Sequence, residues 1–177
     1  MYLRKTEIKD LDRAEEILIL AKESLRDELH IDQWQSGYPN RSTYEKDMQD
    51  GLGYVLCNDE GAVVGVCAAI LDGDPVYDDI ISADGEFDGF WKYDGKHLVV
   101  HRICVDKKNA TKGLGSIFME KLTDMARSLG CGSVRIDTHR GNLAMRGMLR
   151  KNGFCERGIV FVDDPSTKER IAYEKIL

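Results

Sequence analysis

The chain has 177 residues and a formal net charge of −6, enough for a single domain, 1–177, that buries about 70% of the surface its unfolded chain exposes. That acidic balance argues against a general nucleic-acid binder, which needs a basic face, so no nucleic acid is expected as a partner. The longest apolar run, Ala62 to Leu71, contains Gly65 and falls well short of the roughly 20 residues of a membrane span, so no membrane partner is expected either.

The opening stretch, MYLRKTEIKD, has no apolar core and does not read as a signal peptide. Five cysteines (57, 67, 104, 131 and 155) form no C-x-x-C pair, which together with that start predicts reduced thiols and a cytoplasmic protein. Tyr2 to Lys5 predicts a first strand. Asp10 offers an N-cap to a helix with Leu11, Ala14, Ile17, Leu18, Ala21 and Leu25 on one face. His30 to Asn40 has neither period and ends in a Gly-x-Pro turn signal. Ser42 to Asp50 predicts a second helix, with Ser42 and Glu45 at capping-box spacing.

Tyr54 to Cys57 and Ala62 to Leu71 flank a turn and predict a β-hairpin. Asp72 to Lys96 is a long irregular acidic insertion; loops of that length are usually functional or disordered. His97 to Ser116, HLVVHRICVDKKNATKGLGS, then reads as a buried strand (Leu98 to Val105), a polar turn, and a Gly-x-Gly at the mouth of a helix running to Gly130. Ser133 to His139 is a strand with Val134, Ile136 and Thr138 on one face and Arg135, Asp137 and His139 on the other. Asn142 to Asn152 is a helix. Within it Gly147 costs about 1 kcal/mol relative to Ala, which points to close backbone packing. Ile159 to Val162 and Arg170 to Ile176 form a closing hairpin, an edge that a second copy could pair with, so a homodimer stays open.

A Gly-x-Gly at a helix N-terminus is suited to an anion, because unpaired N–H groups and the helix dipole meet there and glycine lets a phosphate come close. A tight turn that binds nothing accounts for the same residues. Neither the P-loop order nor a third dinucleotide-binding glycine (the position is Phe118) is present. The run Ala110-Thr111-Lys112-Gly113-Leu114-Gly115, after a strand ending Ile103-Cys104-Val105, instead resembles the coenzyme A loop of the GNAT family of N-acetyltransferases, Gln/Arg-x-x-Gly-x-Gly/Ala. Downstream, Asn142-x-x-Met145-x-x-x-Leu149-x-x-x-Gly153-Phe154 resembles that family's Asn-containing helix ending in Gly-Phe. The resemblance is close over residues 97–177 and lies only in element order before that.

This resemblance implies an α/β fold of the GNAT acyl-CoA N-acyltransferase type. It has a mixed central sheet whose strands 98–105 and 133–139 splay apart, helices on both faces, and the coenzyme in the gap. It implies an N-acetyltransferase that moves an acetyl group from acetyl-CoA to a primary amine by direct attack in a ternary complex. The co-substrate is acetyl-CoA, and the acceptor is a small-molecule or peptide amine. By the same resemblance the backbone of residues 110 to 116 (Ala110, Thr111, Lys112, Gly113, Leu114, Gly115, Ser116) cradles the pyrophosphate. Ile103, Cys104 and Val105 bond the pantetheine arm as an added strand. Asn142 positions the far end of that arm or the departing thiol. Three positions depart from the family. Ala110 replaces the usual Gln or Arg, which weakens the cradle without removing its backbone donors; Lys108 or Lys112 could compensate. Leu149 replaces a Tyr that protonates the thiolate in many members. Val99 stands where several members carry a Glu base. The first two departures are what a non-catalytic acyl-CoA-binding sensor or regulatory module, the rival reading, would show.

An amine acceptor arrives mostly protonated and needs a base. His101, two residues beyond Val99 and on the same strand face, is the candidate, since imidazole titrates near neutrality; a satisfied sheet histidine is the plainer alternative. Glu86, Tyr93 and His139 are further candidates. Cys104 as an acyl carrier is set aside because strand parity points it away from His101 and a buried structural cysteine is commoner. No metal is expected. His97 and His101 stand about 13 Å apart along a strand, too far for one zinc. On the acceptor side, residues 47–91 contain no Lys or Arg while Asp72, Asp74, Asp78, Asp79, Asp84, Glu86 and Asp88 crowd the insertion. That field would attract a cationic amine; a solvated acidic loop would look the same. Trp34, Tyr38, Glu86 and Trp91 are the acceptor-site candidates, the aromatics as pocket walls or as loop anchors.

Overall fold

The computed structural model describes residues 1–71, 73–83, 85–108 and 113–177. Its strands are β1 (Tyr2–Lys5), β2 (Gly53–Cys57), β3 (Val63–Leu71), β4 (His97–Val105), β5 (Ser133–Thr138), β6 (Cys155–Phe161) and β7 (Glu169–Ile176). The helices are α1 (Leu11–Asp27), α2 (Arg41–Gln49), α3 (Leu114–Ser128) and α4 (Leu143–Lys151). The strands form one mixed sheet in the order β1-β2-β3-β4-β5-β7-β6, antiparallel throughout except for the β4–β5 pair.

Side-chain alternation sends each strand's apolar residues to two helical layers. Leu98 and Val100 of β4 and Val134 and Ile136 of β5 meet Phe118, Met119 and Leu122 of α3 and Leu149 of α4. On the other face Val55, Val63 and Val66 meet Leu11, Ala14, Ile17 and Leu18 of α1 and Tyr44 of α2. Phe118 is fully buried, and burying a side chain of that size is worth about 1.5–3 kcal/mol. It packs straight onto β3 at Gly65, where an added Cβ would lie 2.9 Å from its ring; only glycine permits that approach.

The caps differ from expectation. Asn40, not Ser42, starts α2: its Oδ1 accepts from the Thr43 N–H at 3.2 Å, and the Thr43 hydroxyl accepts from the Asn40 N–H. Asp10 does not cap α1 with its side chain. Its carboxylate is instead buried against the Arg4 guanidinium at 2.6 and 2.8 Å and accepts from the Glu7 N–H. Gly147 marks no close approach either, because an added Cβ meets nothing within 4 Å. Gly147→Ala is therefore expected to stabilise the fold by about 1 kcal/mol, read as a rise of about 2–4 °C in melting temperature.

The acidic insertion folds down onto the sheet. A short 3-10 turn, Pro75–Tyr77, opens it. Ile81 then exchanges both backbone hydrogen bonds with Ile159 of β6 at 3.0 and 2.9 Å, and the Gly89 N–H donates to the Arg157 carbonyl at 2.8 Å. The hairpin edge expected to be open for a second copy is thus covered in part by the chain itself, which is how native sheets protect such edges. Among the described residues no helix is long and apolar enough to cross a membrane.

Candidate functional site

β4 and β5 run together only from His97↔Ser133 to Val100↔Ile136. Beyond Val100 the β4 edge facing β5 has no strand partner among the described residues, while β3 still pairs its other edge. The cause lies in β4. Its register against β3 skips between Val66 and Ala68, and Arg102 stands at φ 53, a left-handed conformation costly for any residue but glycine. This β-bulge is held from outside the strand. The Tyr44 hydroxyl donates to the Arg102 carbonyl at 2.9 Å, Asp47 takes the guanidinium at 2.6 and 3.0 Å, and Arg102 Nη1 donates to the Tyr38 hydroxyl at 3.0 Å.

The bulge also corrects the parity of the strand. Cys104 pairs with Val66 and His101 with Ala68, positions that share a sheet face, so the two side chains lie on one face and not on opposite ones. Cys104 nonetheless packs into the α1–α2 core beside Tyr44, and burial pushes its thiol up to about 12. A thiol in that state is a poor nucleophile at neutral pH.

Where the strands part lies a cavity of about 500 Å³. Val100 to Val105 of β4 and Ile136 to Thr138 of β5 form its floor. Asn142, Ala144, Met145 and Met148 at α4 close one side, and Leu25 of α1 with Gln33, Trp34 and Tyr38 closes another. Asp74 and Val76 come from the insertion, and Asp163, Asp164 and Arg170 from the last hairpin.

His101 sits between two carboxylates. Its Nε2 is 2.5 Å from Asp74 Oδ2, and its Nδ1 is 3.8 Å from Asp137 Oδ1. The chain builds each partner locally. Asp74 caps the 3-10 turn through Oδ1, which accepts from the Val76 N–H at 3.0 Å, so Oδ2 is the oxygen turned to His101. Asp137, on β5, accepts from the buried Tyr77 hydroxyl at 2.7 Å and lies 3.8 Å from Arg170 Nε. Burial pushes the Asp74 carboxyl up, but the His101 hydrogen bond and charge and the Val76 N–H outweigh it, and the group lies below its ordinary value. A lowered carboxyl stabilises the fold fully above its unfolded value, near pH 4, and loses that contribution as the pH falls through the folded value. Wild type is therefore expected to lose more stability below about pH 4 than Asp74→Asn does, as read by urea denaturation at a series of pH values.

Of the residues expected in the coenzyme site, Ile103 and Val105 line the cavity and pack toward α3, and Cys104 contributes to the lining from β4. Asn142 lines it too, but its Oδ1 accepts from the Met145 N–H at 3.1 Å as the cap of α4, leaving the side-chain NH₂ as the group a ligand would meet. Gly113 is the N-cap of α3 at φ 92, and no side chain of a described residue caps that helix's first turn. Leu114 is buried in the core, and the Ser116 hydroxyl accepts from Asn152 at 2.9 Å. Ala110, Thr111 and Lys112 lie outside the described residues.

On the acceptor side Trp34 and Tyr38 line the cavity, whereas Glu86 and Trp91 do not. Glu86 forms a surface ion pair with Arg140 at 3.0 Å. Trp91 donates from Nε1 to the Tyr77 carbonyl at 2.8 Å and stacks under Arg135, anchoring the insertion. Val99 is fully buried with Tyr77, Val160 and Ala172, and Leu149 lies in the α3 core; neither position faces the cavity. Asp137, Arg102, Arg170 and Gln33 carried no role in the sequence reading. Two signals were there to use: Asp137 on the strand face opposite Val134 and Ile136, and the polar pair His101–Arg102 breaking an apolar strand. Among the described residues no cluster of side chains is arranged to hold a metal.

A family model described as Acetyltransferase (GNAT) family matches residues 18–154. An acetyltransferase of the GNAT family from Streptococcus agalactiae 2603 is 29% identical and superposes with a TM-score of 0.84 over 99% of this chain and 94% of that one. The fold alone is shared with two more distant structures. One is a GNAT superfamily phosphinothricin acetyltransferase from Sinorhizobium meliloti in complex with AcCoA (16% identity, TM-score 0.62, 99% of this chain and 88% of that one). The other is a ribosomal-protein-alanine N-acetyltransferase from Brucella melitensis (19%, 0.63, 100% of both chains). No curated protein matches the chain.

Proposed function

The chain belongs to the GNAT acetyltransferase family, and from that premise we propose that its cavity transfers an acetyl group from acetyl-CoA to a primary amine by direct attack in a ternary complex, with His101 as the base. The observation that carries this reading is the placement of His101, in the wall of the β4–β5 gap, with Asp74 on one ring nitrogen and Asp137 near the other.

The residues present suit the coenzyme. The unpartnered edge of β4 after the bulge offers backbone groups to an amide-bearing arm, as an added strand would use them. The first turn of α3, whose N-cap Gly113 supplies no side chain, offers N–H groups to a phosphate. Met145 and Met148 supply a compliant apolar wall between the two. When bound, the thioester supplies the activated acetyl group, and everything else falls to the side chains.

With Nε2–H donating to Asp74, the tautomer of His101 is set and Nδ1 carries the lone pair. Nδ1 and Asp137 Oδ1, 3.8 Å apart, can both lie within hydrogen-bond reach, about 2.9 Å, of one nitrogen set against them. An ammonium held there gives its proton to Nδ1 and becomes a nucleophile. The imidazolium so formed lies against Asp74 and 3.8 Å from Asp137. No Tyr on α4 faces the gap, and a thiol of ordinary pKa near 8.5 departs acceptably as thiolate. Five free thiols suit a reducing compartment such as the cytoplasm.

The test is free-thiol release from acetyl-CoA with and without a panel of primary amines, joined to calorimetric titration of acetyl-CoA. Amine-dependent release is the expected result. Tight acetyl-CoA binding with no release to any amine would support a sensor in its place.

A further inference from the structure

We infer that the acceptor is a small di- or polyamine without a carboxylate, an inference that rests on the amine-acetylating reading above and names its substrate class. The argument is one of charge pairing. Each arginine or lysine lining the cavity among the described residues already has a carboxylate: Arg102 with Asp47 at 2.6 Å, Arg170 with Asp164 at 2.7 Å, and Lys107 with Glu28 at 2.9 Å. Arg170 is spent altogether, since its Nη1 donates to the carbonyls of Thr167 and Glu169 and its Nε faces Asp137. An acceptor bearing a carboxylate would have to desolvate it with no unpaired cation to receive it among the described residues that line the cavity, which is costly.

The same wall has acceptors to spare. Asp137 and His101 Nδ1 form the slot for the reacting nitrogen. From there Arg170 and Asp164 lead to Trp34, whose backbone N–H donates to Asp164 at 3.0 Å, and so to Gln33 and Asp163. Gln33 is 6% exposed, and its Oε1 has no hydrogen-bond partner among the described residues. A buried acceptor left that way calls for a donor. Asp163, next along the chain to Asp164, is exposed and lines the same cavity. One nitrogen at the slot and a second N–H-bearing cation toward Gln33 and Asp163 would satisfy both ends, and Trp34, which lines the same cavity, is an aromatic suited to a cation or its methylene chain.

The experiment compares three acceptors of one chain length with wild-type protein and saturating acetyl-CoA: 1,5-diaminopentane, lysine and pentylamine. Expected is a kcat/KM for the diamine at least about tenfold above lysine, with a KM at least about tenfold below that of pentylamine, since one ion pair or charged hydrogen bond is worth that much. Lysine used as well as the diamine would overturn the inference. Pentylamine used as well as the diamine would also overturn it, while leaving the amine-acetylating reading intact. Turnover of none of the three, with acetyl-CoA bound, would overturn both.

Discussion

Glu174→Ala is expected to destabilise the protein by about 3–5 kcal/mol, the usual cost of removing one partner from a buried ionic cluster. Glu174 is fully buried. Its Oε2 accepts from Arg157 Nε at 3.2 Å and from the Lys92 N–H at 2.8 Å, and its Oε1 accepts from the Tyr93 N–H and lies 3.6 Å from Arg135 Nε. Alanine would leave the buried Arg135 guanidinium, whose pKa burial already lowers, without its carboxylate, and would take from the half-buried Arg157 one of its two, Asp88 at 3.5 Å remaining. It would also free two backbone donors at the end of the acidic insertion. Glu174→Gln keeps acceptors for those donors and is expected to cost less. Urea denaturation reads both. Because the insertion delivers Asp74 and Tyr77 to the site, Glu174→Ala should also lower activity in protein that is still folded.

His101→Gln is expected to lower kcat by about 10²–10⁴, the range that general base catalysis contributes, with the dissociation constant of acetyl-CoA unchanged. Glutamine keeps a polar group of similar reach to Asp74 but cannot accept a proton. A purely structural histidine would show a different pattern: lower stability with kcat nearly intact. Asp74→Asn serves as the companion. It leaves His101 in place and removes the carboxylate that its Nε2 meets, so its loss should be smaller. Steady-state rates across pH for the three proteins separate these outcomes.

The frame of the fold was legible because apolar periodicity switches cleanly between strand and helix. Leu98 to Val100, Val134 to Ile136 and the Phe118–Leu122 face all lie where their spacing sent them. The helix starts were less legible. Asn40 competes with Ser42 as a cap, and only the fixed backbone angle at Asn40, extended at φ −143, decides it. The bulge in β4 was not legible at all. Its left-handed residue is an arginine and not a glycine, and the contacts that hold it come from Tyr38, Tyr44 and Asp47, about 55 to 64 residues away. Everything downstream of that bulge followed from it: the side on which Cys104 lies, and the point at which the β4 edge is released. The acidic insertion misled for a related reason. Composition reports its charge but not that Tyr77, Trp91 and the 92–93 backbone are fastened to β5 and β7, so that one aspartate of the group, Asp74, is brought to the histidine and Glu86 is left outside.

The most direct measurement is mass spectrometry of protein and amine together during rapid-quench turnover with acetyl-CoA and 1,5-diaminopentane. Direct transfer in a ternary complex predicts the acetyl group on the diamine, free coenzyme A in equal amount, and no acetylated protein at any time. An acetylated cysteine that forms and decays before product, or coenzyme A released with no acetylated amine, would contradict it.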